Sequence, residues 1–243
     1  MPPYRPSGRK AKEPVFIRSG VAELYPEVSA LAARCIALGA QIESLYGAIL
    51  ITMLGANAKP AAAMYRSLQS LNAQSTVVQA AAEAVLENDE LDLLAAISSL
   101  TNRSMVHRHR LAHWVWGSSS GYPDAIVLIN PKMLLEYEVD LGRFSWPNEG
   151  RGLLDKFDIK TCFIYDAKAL REVITGLAEA ENFLAQFRFS VIPMIRRNPA
   201  MRDQGFPELA RQPALMLELK SLAAKRQKNP QVPPPRPRKG RSG

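Results

Sequence analysis

Between Pro26 and Gly55 the apolar residues Val28, Leu31, Cys35, Leu38, Ile42, Leu45, Ile49 and Met53 recur at intervals of three and four. That spacing keeps one face apolar through about seven turns of α-helix, with Pro26 suited to the first turn and Gly55 followed by Asn57 as the stop. A stripe that long must be covered along its whole length, which commits much of the chain to helical partners. Those partners are legible. Pro60 to Leu71 and Gln74 to Leu86 read as two Ala-rich amphipathic helices separated around Asn72. A further long helix, capped by Asn88 or Asp89, runs through Leu93, Ile97, Leu100, His107, Leu111 and Trp114 until the Gly/Ser string at 117–121 ends it.

The texture then changes. Ala125 to Ile129 (AIVLI) and Lys160 to Tyr165 (KTCFIY) are β-branched and aromatic runs bounded by Pro, Asp and Asn, which predicts a small hairpin or meander. Between them lie a short apolar piece, Met133 to Leu135, and a Trp-Pro-Asn-Glu-Gly loop at 146–150. Asp166 is placed to cap a helix carrying Leu170, Val173, Ile174, Leu177, Ala180, Leu184 and Phe187. Beyond Pro193, prolines at 199, 207 and 213 leave room for one short helix, Ala214 to Ala224. The expected fold class is mainly α: an antiparallel helical bundle with a β insertion at about 122–165. It forms one domain over 19–224 and has no internal repeat.

Charge qualifies this picture. The 243-residue chain is 47% hydrophobic with a net charge of +8, but residues 1–18 and 225–243 hold 12 of its 31 basic and one of its 23 acidic residues. The remainder is slightly acidic. Both termini are rich in Pro, Gly and cations and poor in core-forming residues, so they are expected to be disordered. The tail's PPPRP string suits an aromatic groove or RNA phosphates, although a solvated tail is the simpler reading. Cys35 and Cys162 are too few for a disulfide framework, which points to the cytoplasm. The apolar run Leu45 to Gly55 is about half a membrane span, and the N-terminus lacks the apolar stretch of a secretory signal, so no membrane partner is expected.

The string VHRHRLAHWVWG, residues 106–117, contains every histidine of the chain. His109 and His113, four apart on one helix face, have the spacing of a zinc pair. Neither Cys nor a carboxylate lies between Thr101 and Gly121 to supply a third ligand, so no metal and no other cofactor is expected. His107 falls on the apolar stripe with Leu100, Leu111 and Trp114 and reads as a packed histidine, while Arg108 and Arg110 suit the negative end of a helix dipole. The catalytic alternative rests on chemistry. An imidazole moves a proton near neutral pH, and a guanidinium holds a phosphate through paired donors, which together suffice to cleave RNA at the ribose 2′-hydroxyl. Other polar groups are less telling. Ser118 to Gly121 lack the Gly-Lys-Ser/Thr of a phosphate loop, Glu43 reads as a solvated or helix-pairing charge, and Trp114 and Trp116 read as packing.

Arg108, His109, Leu111, Ala112 and His113, in RHRLAHW, resemble the signature of HEPN-domain proteins, with His109 in the place most often taken by Asn. The resemblance covers the helical portion, about 20–116 with 166–188. It implies a HEPN-like helical bundle, a homodimer in which motifs of two chains meet, and a metal-independent endoribonuclease of toxin or defence type. Arg108, His113 and His109 would be the catalytic residues, with RNA as substrate and an antitoxin or other partner protein. The alternative is a non-catalytic helical interaction module with basic tails, in which the histidines cap and pack.

Overall fold

The long apolar stripe forms the helix it predicts. In a computed structural model of the chain, which describes residues 3–7, 13–17, 20–55, 57–68, 71–143, 161–191 and 199–228, a two-residue strand β1 (Val15–Phe16) and a single turn α1 (Val21–Leu24) precede helix α2 (Pro26–Leu54). Pro26 occupies the first helical position, and Gly55 takes a left-handed φ of 60° that ends the helix. By length and composition alone α2 could cross a membrane, its most apolar 18-residue window having a mean hydropathy of 1.5; a third of that window is buried here.

The chain continues with α3 (Ala58–Ser67), α4 (Leu71–Val85) and α5 (Asn88–His113). The Asn57 side chain accepts from the Lys59 N–H at the start of α3. At α5 the expected cap moves by one residue: the Glu87 N–H donates to the Glu90 carboxylate, so Asn88 lies inside the first turn. The strands follow, β2 (Val115–Ser119) and β3 (Ala125–Ile129), then α6 (Pro131–Arg143), β4 (Phe163–Asp166) and α7 (Ala167–Gln186), which a π turn prolongs through Phe187–Val191. Asp166 caps α7 as its position predicts, accepting from the Ala169 N–H at 2.7 Å. Two helices close the described chain, α8 (Pro199–Ala210) and α9 (Pro213–Lys228). The fold is thus mainly α with a small four-stranded antiparallel sheet in the order β1-β2-β3-β4.

Five expectations are corrected. The Gly/Ser string does not end α5; Gly117, Ser118 and Ser119 belong to β2, because Val115 and Trp116 pair with Ile129 and Leu128 and draw the chain into the sheet. The apolar piece at 133–135 is part of the 13-residue helix α6. Prolines 199 and 213 open helices rather than break them, since a first-turn residue needs no N–H donor. The N-terminal segment, expected to be disordered, closes both sheet edges: Val15 and Phe16 pair with Ser119 and Ser118, and Tyr4 bridges to Ile164 on β4. At the other end α9 carries ordered structure to Lys228, past the expected boundary at 225. The loop at 146–150 and the tail at 229–243 lie outside the described residues.

The chain divides into two compact units, residues 1–39 with 104–178 and residues 40–103 with 179–243, so α2, α5 and α7 each contribute to both. The first unit holds the sheet. All five β3 residues are buried, which explains why AIVLI is a continuous apolar run rather than an alternating one. One face packs Val127, Ile129, Ile164, Val15 and Cys162 into a cluster with Leu134 of α6. On the other face lie Ile126, Leu128, Phe163 and Tyr165. The second unit is helical, with Ile42, Ile49, Leu93, Leu94, Ile97 and Phe187 fully buried. Inside it Glu218 accepts from Ser99 and pairs with Arg103, and Arg226 grips Asp92 through both terminal nitrogens.

Candidate active site

The last turns of α5 carry the histidine string, and their side chains divide by helix face. His107 points into the first unit. Its Nδ1 lies 3.0 Å from the Tyr165 hydroxyl with the rings edge-on, and burial, helped by the Arg110 charge, pushes its imidazole down to about 4. A neutral ring with a bonded nitrogen matches the packed histidine that the stripe implied. Tyr165 is itself buried, which pushes its phenol up to about 12, while the neighbouring Arg110 guanidinium opposes that shift.

His109 and His113 face outward. Both are exposed, and their rings are 4.7 Å apart and tilted by 49°. Desolvation holds the His109 pKa below its ordinary value, and the charges of His113, Arg108 and Arg110 act in the same direction. These effects favour the neutral form of His109.

Arg108 is placed by its stem. A β-carbon added at Gly39 of α2 would fall 2.4 Å from Arg108 Cγ and 3.0 Å from Cδ and Nε, so the arginine crosses the helix where only glycine leaves room. Within the same unit the Cys35 thiol, pushed up to about 12 by burial, faces the Leu170 carbonyl, and Arg171 pairs with Glu27, fixing α2 against α7. Gly39 thus lies on a helix anchored on a second side.

Arg110 takes a third course. Its guanidinium lies 3.8 Å from the centroid of Phe163 and 5.6 Å from that of Trp114. Trp116 closes the helix end, its indole N–H donating to the Leu111 carbonyl at 3.0 Å.

The structure thus brings His113 together with His109, and gathers the Arg108 and Arg110 charges around His109. It does not bring Arg108 and His113 to one point: α5 is helical through His113, and residues five apart on a helix diverge by about 140°. No group of three potential metal ligands occurs among the described residues. Sequence reasoning missed Gly39, Tyr165 and Phe163. A signal existed for the first, because a glycine on the apolar stripe of a long helix costs about 1 kcal/mol and marks a close approach. Tyr165 and Phe163 alternate within KTCFIY, but which sheet face meets α5 is a tertiary fact. No protein-family model, curated protein or solved structure matches the chain.

Proposed function

We propose that this protein is a metal-independent RNA endonuclease in which His109, His113 and Arg108 act on one phosphodiester. The observation that carries the reading is the exposed imidazole pair at 4.7 Å, in which desolvation, with the charges of His113, Arg108 and Arg110, lowers the His109 pKa. Two imidazoles in contact are suited to opposite roles, one accepting a proton and the other delivering one. His109 accepts the proton of the ribose 2′-hydroxyl as its oxygen attacks phosphorus. His113 delivers a proton to the departing 5′-oxygen, and Arg108 offers its donors to the charge that develops on the phosphate. Electrons and protons balance without a co-reactant: the P–O2′ bond forms, the P–O5′ bond breaks, and the ends are a 2′,3′-cyclic phosphate and a 5′-hydroxyl.

The RHRLAHW string and the mainly helical frame support placing the chain near HEPN-domain proteins, with the bundle and the cytoplasmic, toxin or defence setting that this resemblance implies. The divergence of Arg108 and His113 along α5 supports a homodimer, in which the arginine of one copy serves the histidines of another. That divergence equally favours the second reading, a non-catalytic interaction module that binds RNA or a partner protein and cleaves nothing.

The products distinguish the two readings. Incubated with a single-stranded oligoribonucleotide in EDTA, the full chain is expected to yield 2′,3′-cyclic phosphate ends and to leave the same oligomer intact when it carries 2′-deoxyribose throughout. The acidic limb of the rate profile is expected below pH 6.5, where His109 takes up its proton. Intact RNA after prolonged incubation, or equal cleavage of the deoxy oligomer, would sink the catalytic reading.

A further inference from the structure

Three arginines among the described residues neutralise an acid: Arg103 pairs with Glu218, Arg171 with Glu27 and Arg226 with Asp92. Arg5 and Arg110 do not. Among the described residues neither pairs with a carboxylate, and both instead lie over the same ring, Arg5 at 5.1 Å and Arg110 at 3.8 Å from the Phe163 centroid. Those distances place the two guanidiniums within about one Debye length of each other, ~10 Å at 0.1 M salt, where like charges still repel. The Asp166 carboxylate, within electrostatic reach of Tyr4, accepts from the Ala169 N–H at the start of α7 and forms no ion pair with either arginine.

The arrangement is also held in place. The Arg110 guanidinium lies beside the Tyr165 phenol and over the rings of Phe163 and Trp114. Arg5 is fixed by its neighbour, because the Ile164 N–H donates to the Tyr4 carbonyl at 2.9 Å and ties residues 3–7 to the edge of β4. The N-terminal segment therefore brings a second cation to a ring that already carries one. Two cations over one ring, paired with no carboxylate among the described residues and set among half-buried aromatics, fit a phosphate and its adjoining base. A guanidinium resting on a ring keeps its in-plane donors for phosphate oxygens, and its plane is a surface on which a base stacks.

We propose that Arg5, Arg110, Phe163 and Trp114 form a docking site for a phosphate and neighbouring base of single-stranded RNA, next to the histidine pair on the turn of α5 that also carries His113. The inference rests on the RNA reading above for its choice of ligand. It adds that the strand is held by the N-terminal segment and β4 as well as by α5, and that binding and cleavage use different residues.

The test is a salt titration of binding. The full chain, wild type and Arg5→Gln, is mixed in EDTA with a fluorescent ten-nucleotide single strand carrying 2′-O-methyl groups, which binds but has no 2′-hydroxyl to react. Each phosphate contact of a single strand contributes about 0.7 to the slope of log K against log salt. Arg5→Gln is expected to reduce that slope by about this amount, to weaken binding several-fold at low salt, and to leave the melting temperature unchanged, because Arg5 is exposed. Arg110→Gln is expected to lose more affinity, with circular dichroism checking that it folds. Against cleavable RNA, the effect of Arg5→Gln is expected in KM. If slope and affinity are the same in wild type, Arg5→Gln and folded Arg110→Gln, the site is overturned. An acidic peptide bound more tightly than the oligomer, with the same dependence on Arg5, would overturn the assignment to RNA. Binding that depends on both arginines without cleavage of ordinary RNA leaves this site standing and removes the catalytic proposal. Cleavage with KM unchanged in both variants does the reverse.

Discussion

In the helical unit Arg103 and Arg226 reach carboxylates on Glu218 and Asp92, whereas in the sheet-containing unit Arg5 and Arg110 rest on the Phe163 ring and Arg108 crosses a glycine. The contrast is local rather than a shortage of acids, since Arg171 of the sheet-containing unit pairs with Glu27. An arginine that meets a carboxylate has its charge cancelled and contributes to stability, modestly when exposed. Arg5 and Arg110, held on an aromatic face and paired with no carboxylate among the described residues, keep their charge. Losing arginines of the first kind should therefore change stability, and losing those of the second kind should change binding or rate.

The largest effect is expected in the helical core. Ile97 is fully buried there, so Ile97→Ala should lower unfolding free energy by about 2–5 kcal/mol. Denaturant titration measures this, and the cleavage rate per folded molecule should hold; a matching fall in that rate would break the division between the units. Next comes Gly39→Ala. In a free helix this change stabilises by roughly 0.5–1 kcal/mol, but here the new methyl meets Arg108 Cγ at 2.4 Å. The stem must shift, and misplacing a phosphate-holding group by about 1 Å can cost up to about 10²-fold in kcat/KM. An active, more stable variant would show that Arg108 does not need its seat.

A smaller effect concerns pH. The His107 pKa is near 6.5 when unfolded and about 4 when folded, so its contribution to stability is complete above pH 6.5 and is lost as pH falls through 4. One group changes the slope by at most about 1.4 kcal/mol per pH unit, and partial exposure makes the real figure smaller. Unfolding free energies of wild type and His107→Gln should converge as pH drops over that window; parallel curves would remove the buried neutral ring. The smallest effect is expected at Arg226→Ala, about 0–1 kcal/mol with RNA binding unchanged, because its charge is already spent on Asp92.

Legibility followed the same division. The helices on long apolar stripes, α2, α5 and α7, could be read because burial along one face imposes a period on the sequence. Helix α8 could not: its prolines read as breaks, and its apolar residues show little periodicity. β2 was hidden because Gly117, Ser118 and Ser119 have no strand preference of their own and are held by pairing with β1 and β3. Within the candidate site, the outward histidine pair follows from spacing four on a helix. The seat of Arg108 on Gly39 and the stacking of Arg110 on Phe163 join residues distant in sequence, and no local pattern encodes such a meeting.

The proposed proton transfers lie on two imidazoles, and the direct measurement is the single-turnover cleavage rate of a single-stranded RNA in EDTA by wild type, His109→Ala, His113→Ala and Arg108→Lys. Loss of a general acid or base costs about 10²–10⁴-fold, so both histidine variants should fall by that much while their melting temperatures stay within a few degrees of wild type. Arg108→Lys should remain impaired, because lysine keeps the charge and loses the planar pair of donors. Wild-type protein that leaves the RNA intact, or cleavage that persists at the wild-type rate in both histidine variants, would contradict the account.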